Sequence, residues 1–361
     1  MLIHIRCRTI LLLAMLAVPL AAQADVSYAV KPIGVAGSMP AGINNRGEVV
    51  GYYTSGDAVR AFVYSSSGFV DLGTLGGGYS RAHGINDLSV VVGAAEDAAG
   101  NTRAFAYADG RMSDLGTLGG TNSSAAAINN NGQIAGVADS ADGSFAFRFT
   151  PGAGMENLGT LPGGGNSRAE GINNAGIVVG GAVVSDTPTP PFHAFLFESG
   201  AMIDLDSQNS PFSVGQAIND SGDVVGWINA GFGIDHAFLY SDGTMTDLRT
   251  LSGFGTSLAY DINNNGQIVG WSEVAGRDSR GILYDDGVMV DLTAMLVPAS
   301  GWTIQAAYGI NDLQQIAAWG CQVNVCQALL LDPASPVPEP ETHALLLAGL
   351  GLIGWTLSRK H

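Results

Sequence analysis

The chain reads as an all-β protein: a seven-bladed β-propeller of four-stranded blades, preceded by an export signal and followed by a short tail outside the fold. Three observations predict this. An Ile-Asn pair recurs seven times at nearly constant spacing. Each period holds four short β-rich runs separated by Gly, Asn, Asp and Ser. Glycine supplies 51 of 361 residues and charged residues only 13%, a composition suited to short strands joined by tight turns. With 46% apolar residues, the chain is far from the composition of disorder.

The Ile-Asn column falls at Ile43, Ile85, Ile128, Ile172, Ile218, Ile262 and Ile310, in steps of 42, 43, 44, 46, 44 and 48 residues. In the second repeat the four strand-like pieces are 80–86, 90–94, 103–108 and 111–118. Four strands per roughly 43 residues is the arithmetic of a propeller blade. Each Ile-Asn is followed by Asn or Asp and then, two residues on, by Gly47, Gly132, Gly176, Gly222 or Gly266, with Ser89 and Gln314 as exceptions. Asn and Asp side chains bond to the nearby backbone, and Gly accepts positive φ, so the column predicts hairpin turns.

A second column pairs Ala with Phe at Phe62, Phe105, Phe147, Phe195 and Phe238, weakening to Ile282 and Leu329. A third begins Asp71-Leu-Gly-Thr-Leu75, repeats at Asp114 and Asn157, and drifts through Asp204, Asp247 and Asp291. This last strand occurs only six times after an Ile-Asn pair. The stretch from Ser27 to Gly34 fills the missing slot, with Ile33-Gly34 standing where Leu72-Gly73 stand in the next repeat. The ring is therefore expected to be closed by the N-terminal strand in the last blade, which would remove open sheet edges.

These columns resemble the extracellular HAF repeat. The triplet itself stands at His193-Ala194-Phe195 and His236-Ala237-Phe238, and Arg60, Arg103 or Phe145 replaces the histidine elsewhere. The resemblance spans roughly residues 27–332, implies an extracellular location and carries no established catalytic activity.

The termini carry targeting signals. Arg6 and Arg8, the apolar run from Ile10 to Leu20 and the small-residue site Ala22-Gln23-Ala24 form a secretory signal over residues 1–24. The propeller is then expected over 25–333. Cys7 leaves with the signal, and Cys321 and Cys326 are expected to form a disulfide across a tight hairpin in an oxidising compartment. After Asp332 a proline-rich link leads to Val337, Pro338, Glu339 and Pro340, a mainly apolar run from Ala344 to Leu357, and a basic end at Arg359 and Lys360. As a helix that run spans about 21 Å, short of a bilayer core of about 30 Å. Extension of the helix and snorkelling of the basic end make up part of the gap. Residues 334–361 thus resemble a PEP-CTERM sorting tail, with a short transmembrane-like helix. The resemblance implies export by the Sec machinery and processing by an exosortase. It also implies a Gram-negative cell surface or exterior, with transient anchoring in the inner membrane. Such tails are also labelled as the C-terminal domain of ice-binding proteins, without implying ice binding.

The formal net charge is −17, and loss of Arg6 and Arg8 makes the remainder more acidic still. Nucleic acid is excluded as a partner, because phosphate binding needs a basic patch. No Gly-x-Ser-x-Gly, His-Glu-x-x-His or Walker pattern is present. The Asp column recurs once per blade and reads as turn acceptors rather than paired acid catalysts. The interchange of His193 and His236 with Arg and Phe reads as a packing or strand-edge position. Asp220 to Asp223 and Asp261 to Gly266 superficially resemble calcium loops but are short of carboxylates, so no metal or other cofactor is expected.

One column departs from symmetry. The residue after the second-strand glycine, or after Ala318 in the seventh repeat, is aromatic at Tyr52, Trp227, Trp271 and Trp319 and small or aliphatic elsewhere. Repeats five, six, seven and one adjoin around a closed ring, so these four form either an arc for stacking sugar rings or part of the core. The sequence therefore predicts an exported, non-catalytic surface or matrix protein binding polysaccharide or another protein. The alternative is a polysaccharide lyase or hydrolase acting at the propeller axis. Ice or mineral binding ranks below both.

Overall fold

The computed structural model describes residues 26–185, 191–206, 210–251, 253, 255–273, 278–297 and 300–334. Ser27–Ser335 forms a compact unit of its own. The signal segment, and the sorting tail with its expected helix, lie outside the described residues.

Among the described residues the fold is all β, with no helix, and built from four-stranded antiparallel sets in a propeller-like arrangement. The first strand is β1 (Ser27–Pro32). The next set is β2 (Met39–Ile43), β3 (Val49–Ser55), β4 (Ala58–Ser65) and β5 (Gly68–Asp71). It continues into β6 (Gly76–Ile85), β7 (Val91–Asp97), β8 (Thr102–Ala108) and β9 (Arg111–Asp114) through one parallel bridge, Val59 to Tyr79. Then come β10 (Ser123–Ile128), β11 (Ile134–Asp139), β12 (Ser144–Thr150) and β13 (Gly154–Asn157). The fourth set is β14 (Ser167–Ile172), β15 (Val178–Val183), β16 (Phe192–Glu198) and β17 (Ala201–Asp204). The fifth is β18 (Ser213–Ile218), β19 (Val224–Gly231), β20 (Ile234–Ser241) and β21 (Thr244–Arg249). The sixth is β22 (Ser257–Ile262), β23 (Ile268–Glu273), β24 (Ser279–Asp285) and β25 (Val288–Asp291).

The last sheet has the order β1-β28-β27-β26, where β26 is Thr303–Ile310, β27 is Ile316–Gln322 and β28 is Val325–Ala334. Strand β1 pairs antiparallel with β28 from Ser27–Ala334 to Pro32–Leu329. Beyond it the Ile33 N–H donates to the Ala328 carbonyl, as the Leu72 N–H donates to Ala61 in the next repeat.

The Ala-Phe column forms the core between sheets. Phe62, Phe105, Phe147, Phe195 and Phe238 are fully buried, and Ile282 and Leu329 take the same place where the motif drifts. The second strand runs under the innermost one at very close range. A Cβ on Gly51 or Gly93 would lie 2.0 Å from the Met39 or Arg81 carbonyl oxygen, so neither position admits a side chain. The matching position in the last sheet is Ala318, and there β26 carries a second register shift, between Ile304 and Ala306.

Neighbouring sheets are tied by polar columns that repeat with the fold. A buried serine on an inner strand accepts from the Ala N–H of the preceding sheet's Ala-Phe pair: Ser80 from Ala61, Ser123 from Ala104, Ser167 from Ala146, Ser213 from Ala194 and Ser257 from Ala237, each at 2.9 Å. Ser38 accepts in the same way from Ala328 at 3.1 Å.

The asparagines of the Ile-Asn column do more than shape turns. Asn129 Oδ1 accepts from the Asn131 and Gln133 N–H groups, while Nδ2 donates to Gln133 Oε1 and, across to the next sheet, to the Asn173 carbonyl. The carboxamide is thus used in full, which neither Asp nor Ser could manage. The cross-sheet bond recurs from Asn44 to 86, 86 to 129, 129 to 173, 173 to 219, 219 to 263 and 263 to 311, and Asn311 donates to the Asn44 carbonyl. The series returns to its own start.

The following residue forms a second series. Its Oδ1 accepts the N–H of the equivalent residue one repeat earlier, through Asp87, Asn130, Asn174, Asp220, Asn264, Asp312 and back to Asn45. Each of the three carboxylates sits between two carboxamides, whose N–H groups reach its second oxygen. Asp87 receives Asn45 and Asn130, Asp220 receives Asn174 and Asn264, and Asp312 receives Asn45 and Asn264. No two carboxylates are neighbours in the series.

Candidate functional site: the central cavity

The innermost strands β2, β6, β10, β14, β18, β22 and β26 all contribute to one cavity of about 640 Å³. Its polar character comes from a repeated backbone irregularity. Each inner strand shifts register against its neighbour just before the Ile-Asn pair. The residue left unpaired is Ala41, His83, Ala126, Glu170, Gln216, Tyr260 or Tyr308, and all seven line the cavity. A β-bulge re-aims a side chain in this way. The strand therefore keeps its core residues in the sheet and offers one residue per repeat to the cavity.

The two alanines leave room on either side of His83. Its Nδ1 lies 2.7 Å from the Ala125 carbonyl. A carbonyl only accepts, so Nδ1 carries the proton and Nε2 is left as an acceptor. Burial lowers the pKa of this imidazole, and the charge of Arg81 lowers it further, against the raising effect of the Ala125 bond. Burial raises the Glu170 carboxyl, opposed by the Arg168 guanidinium, whose Nε lies 2.9 Å from Oε1. Tyr260 and Tyr308 stack with ring centres 5.1 Å apart and planes 8° apart, and burial raises both phenols.

Asp261 occupies a wall position that is glycine or alanine in the other repeats: Gly42, Gly84, Ala127, Gly171, Ala217 and Gly309. Its two oxygens accept the Ile262 and Ile310 N–H groups. Burial outweighs those bonds and lifts its carboxyl to about 7.

Two residues before each bulge lies a further row. Its cross-strand pairs are Met39–Tyr52, Arg81–Ala94, Ser124–Val137, Arg168–Gly181, Val214–Trp227, Leu258–Trp271 and Ala306–Trp319. Bulky aromatics thus stand opposite apolar residues in repeats one, five, six and seven. Arginines stand opposite Ala or Gly in repeats two and four. The four aromatics of the expected arc are all half-buried. Tyr52 lines the cavity, and Trp271 Nε1 donates to the hydroxyl of the cavity residue Tyr260 at 3.0 Å. Trp227 and Trp319 are not among the lining residues. At the end formed by the asparagine turns lies a smaller, mainly polar opening of about 190 Å³.

The other residues singled out by sequence have plain local roles. Oδ1 of Asp71, Asp114, Asp204, Asp247 and Asp291, and of Asn157, accepts the N–H two residues on. The His/Arg column, read from sequence as packing or strand edge, supplies partners to these carboxylates. Arg103 meets Asp114, His193 meets Asp204 and His236 meets Asp247, each eleven residues apart on adjacent strands. Hydrogen bonding to a carboxylate explains why Arg and His exchange there. Cys321 and Cys326 face each other across the β27–β28 hairpin and are joined as a disulfide. Val337 to Pro340, Arg359 and Lys360 lie outside the described residues. The bulge residues escaped the sequence reading. Their signal was a position that varies in chemistry between columns that repeat.

Residues 336–360 match the PEP-CTERM protein-sorting motif. No protein of curated function matches the chain in sequence. A puromycin-hydrolyzing peptidase from Mycobacterium tuberculosis is similar in structure with a TM-score of 0.50 at 11% identity, over 88% of this chain and 54% of the peptidase. That likeness is one of fold alone. TolB from Acinetobacter baumannii aligns with a TM-score of 0.43 at 10% identity over 69% of this chain, which spans 62% of TolB. The gluconolactonase XC5397 from Xanthomonas campestris aligns with a TM-score of 0.42 at 11% identity, over 87% of this chain and 93% of that one. The matched motif supports export and surface sorting, and is consistent with processing by exosortase.

Proposed function

We propose that this is an exported HAF-repeat protein of a Gram-negative cell surface or matrix. In this reading a seven-bladed propeller, closed by its N-terminal strand, binds polysaccharide without catalysis through the central cavity. The observation that carries the reading is the bulge row. On a scaffold whose turns, serines and core phenylalanines repeat, the cavity is lined by a row of seven positions that holds five residue types. A repeating fold needs no such asymmetry for its stability, whereas a binding site does. The closed series of asparagine bonds and the β1–β28 pairing support the ring. Tyr52, which lines the cavity, and Trp271, bonded to the lining residue Tyr260, bring aromatic faces suited to sugar rings to it.

The cavity carboxylates favour binding over chemistry. Both Asp261 oxygens are held by backbone N–H groups, and Glu170 is paired within its own strand. The test is a glycan array probed with the exported protein and with Tyr260→Ala. Loss of glycan binding in a folded variant is expected, and undiminished binding would remove the cavity from the reading. The sorting claim is tested by replacing Pro338, Glu339 and Pro340 with alanine, which should leave the uncleaved form in the inner membrane.

One observation favours a second reading, a polysaccharide lyase or hydrolase at the axis. Two carboxyl groups raised by burial, Glu170 and Asp261, line the same cavity, and raised carboxyls in a cleft mark acid catalysts. Release of reducing ends from a bound polysaccharide, abolished by Glu170→Gln, would establish it.

A further inference from the structure

We propose that the cavity takes an acidic saccharide, a sugar unit carrying a carboxylate, and that Arg81 holds the carboxylate. This rests on the cavity being a saccharide site and goes further by naming the sugar's class and its anchor.

The ion pairs of this fold leave Arg81 out. Arg103, Arg148, Arg168 and Arg280 each lie against a carboxylate, and no such pair is found for Arg81 among the described residues. Its Nε is buried and makes no hydrogen bond. The guanidinium instead lies over aromatic rings, 4.1 Å from the centre of Tyr52 and 5.5 Å from that of Tyr79. Arg81 is not itself a lining residue, but it lies against Tyr52, which lines the cavity, and two residues along β6 from His83, which does too. The cross-strand partner Ala94 is small, where three of the other repeats place Trp.

The matching arginine two repeats on, Arg168, is neutralised by Glu170 at 2.9 Å. The row therefore carries one compensated and one uncompensated cation. A guanidinium fixed by stacking keeps its N–H fork pre-organised, and that fork matches a carboxylate in two-point geometry. Gln216, the free His83 Nε2 and the tyrosine hydroxyls can answer sugar hydroxyls, and aromatic faces suit the apolar side of a pyranose. A volume of about 640 Å³ lies in the range of ligand pockets. The net charge of −17 repels anions at long range, but salt screens that field beyond about 10 Å, so the local pair decides.

The test is calorimetric titration of the full exported protein with a galacturonate trimer and with the same trimer after carboxyl reduction. At least a tenfold preference for the acidic trimer is expected. Arg81→Gln should erase the preference, bringing the affinity for the acidic trimer down to that for the reduced one. Arg81→Met, which keeps the aliphatic stem against Tyr52, should do the same if the glutamine variant fails to fold. Equal binding of the two trimers by the wild type would overturn the proposal and leave the saccharide site standing, as would a preference that survives loss of Arg81. Binding of neither trimer would overturn both.

Discussion

Replacing Asn129 tests whether the repeated asparagine is a turn former or a tie between sheets. Its carboxamide makes four hydrogen bonds, two to backbone N–H groups of its own turn, one to Gln133 and one to the Asn173 carbonyl in the next sheet. Asn129 is only 4% exposed. Each bond contributes about 1 kcal/mol net, and a buried group left unpaired adds to the loss. Water can reach the exposed part of the turn, so Asn129→Ala should cost about 3 kcal/mol. For a domain of this size that corresponds to a melting temperature lowered by roughly 5 °C.

Asn129→Asp separates the two roles. The aspartate keeps the Oδ1 bonds that shape the turn but sets its second oxygen against the Asn173 carbonyl. Gln133 can rotate its amide to donate, whereas the carbonyl cannot. The variant should lose about 2 kcal/mol at pH 7. The opposed oxygens raise the new carboxyl's pKa in the folded state above its unfolded value. Its stabilising contribution is then fully present below the unfolded pKa and is lost as pH rises through the folded one. Denaturant unfolding at pH 4 and pH 8, with wild type alongside, measures both effects. A cost under 1 kcal/mol for the alanine variant, or an aspartate variant that tracks wild type between the two pH values, would refute the tie.

Asn45→Asp would place a third carboxylate between Asp87 and Asp312. It should destabilise by about 1–2 kcal/mol at low salt, with part recovered at high salt, as unfolding in graded salt would show. Asp261, lifted to about 7 by burial, adds stability that is complete at low pH and lost as pH rises through 7. The difference in unfolding free energy between wild type and Asp261→Asn, which cancels the contributions of His83 and Glu170, should shift by on the order of 2 kcal/mol between pH 5 and pH 8. A shift to about 7 gives a ceiling of roughly 3 kcal/mol over this window, and the value is set below it because the cavity admits water. Tyr28 is fully buried, its hydroxyl has no hydrogen-bond partner and its phenol is pushed up to about 12, so Tyr28→Phe should keep or raise the melting temperature. Reduction of Cys321–Cys326 closes no long loop and should cost about 2 kcal/mol or less on thermal unfolding.

The sequence made much of this legible because the same local problem is solved in every repeat. Hairpin turns, the recurrence of the Ala-Phe pair and the slot filled by Ile33 can all be read from columns. What the columns could not show is which groups meet between repeats. The Asn44-to-Asn86 bond joins residues 42 apart and is indistinguishable in sequence from an ordinary turn. The pairing of His193 with Asp204 was hidden because each column was read alone. The serine tie was missed because Ser80, Ser123 and Ser167 stand among many other small polar residues. The cavity was the least visible part, since alternation along a strand predicts two faces and a bulge presents a third direction.

That third direction separates two kinds of information in one strand. At Ala41, His83, Ala126, Glu170, Gln216, Tyr260 and Tyr308 the side chain is released from the pairing that fixes its neighbours. Seven positions can then be rewritten with little consequence for the ladder that carries them. The repeats supply a rigid dial with seven marks, and the lining of the cavity can change by new letters at the marks alone.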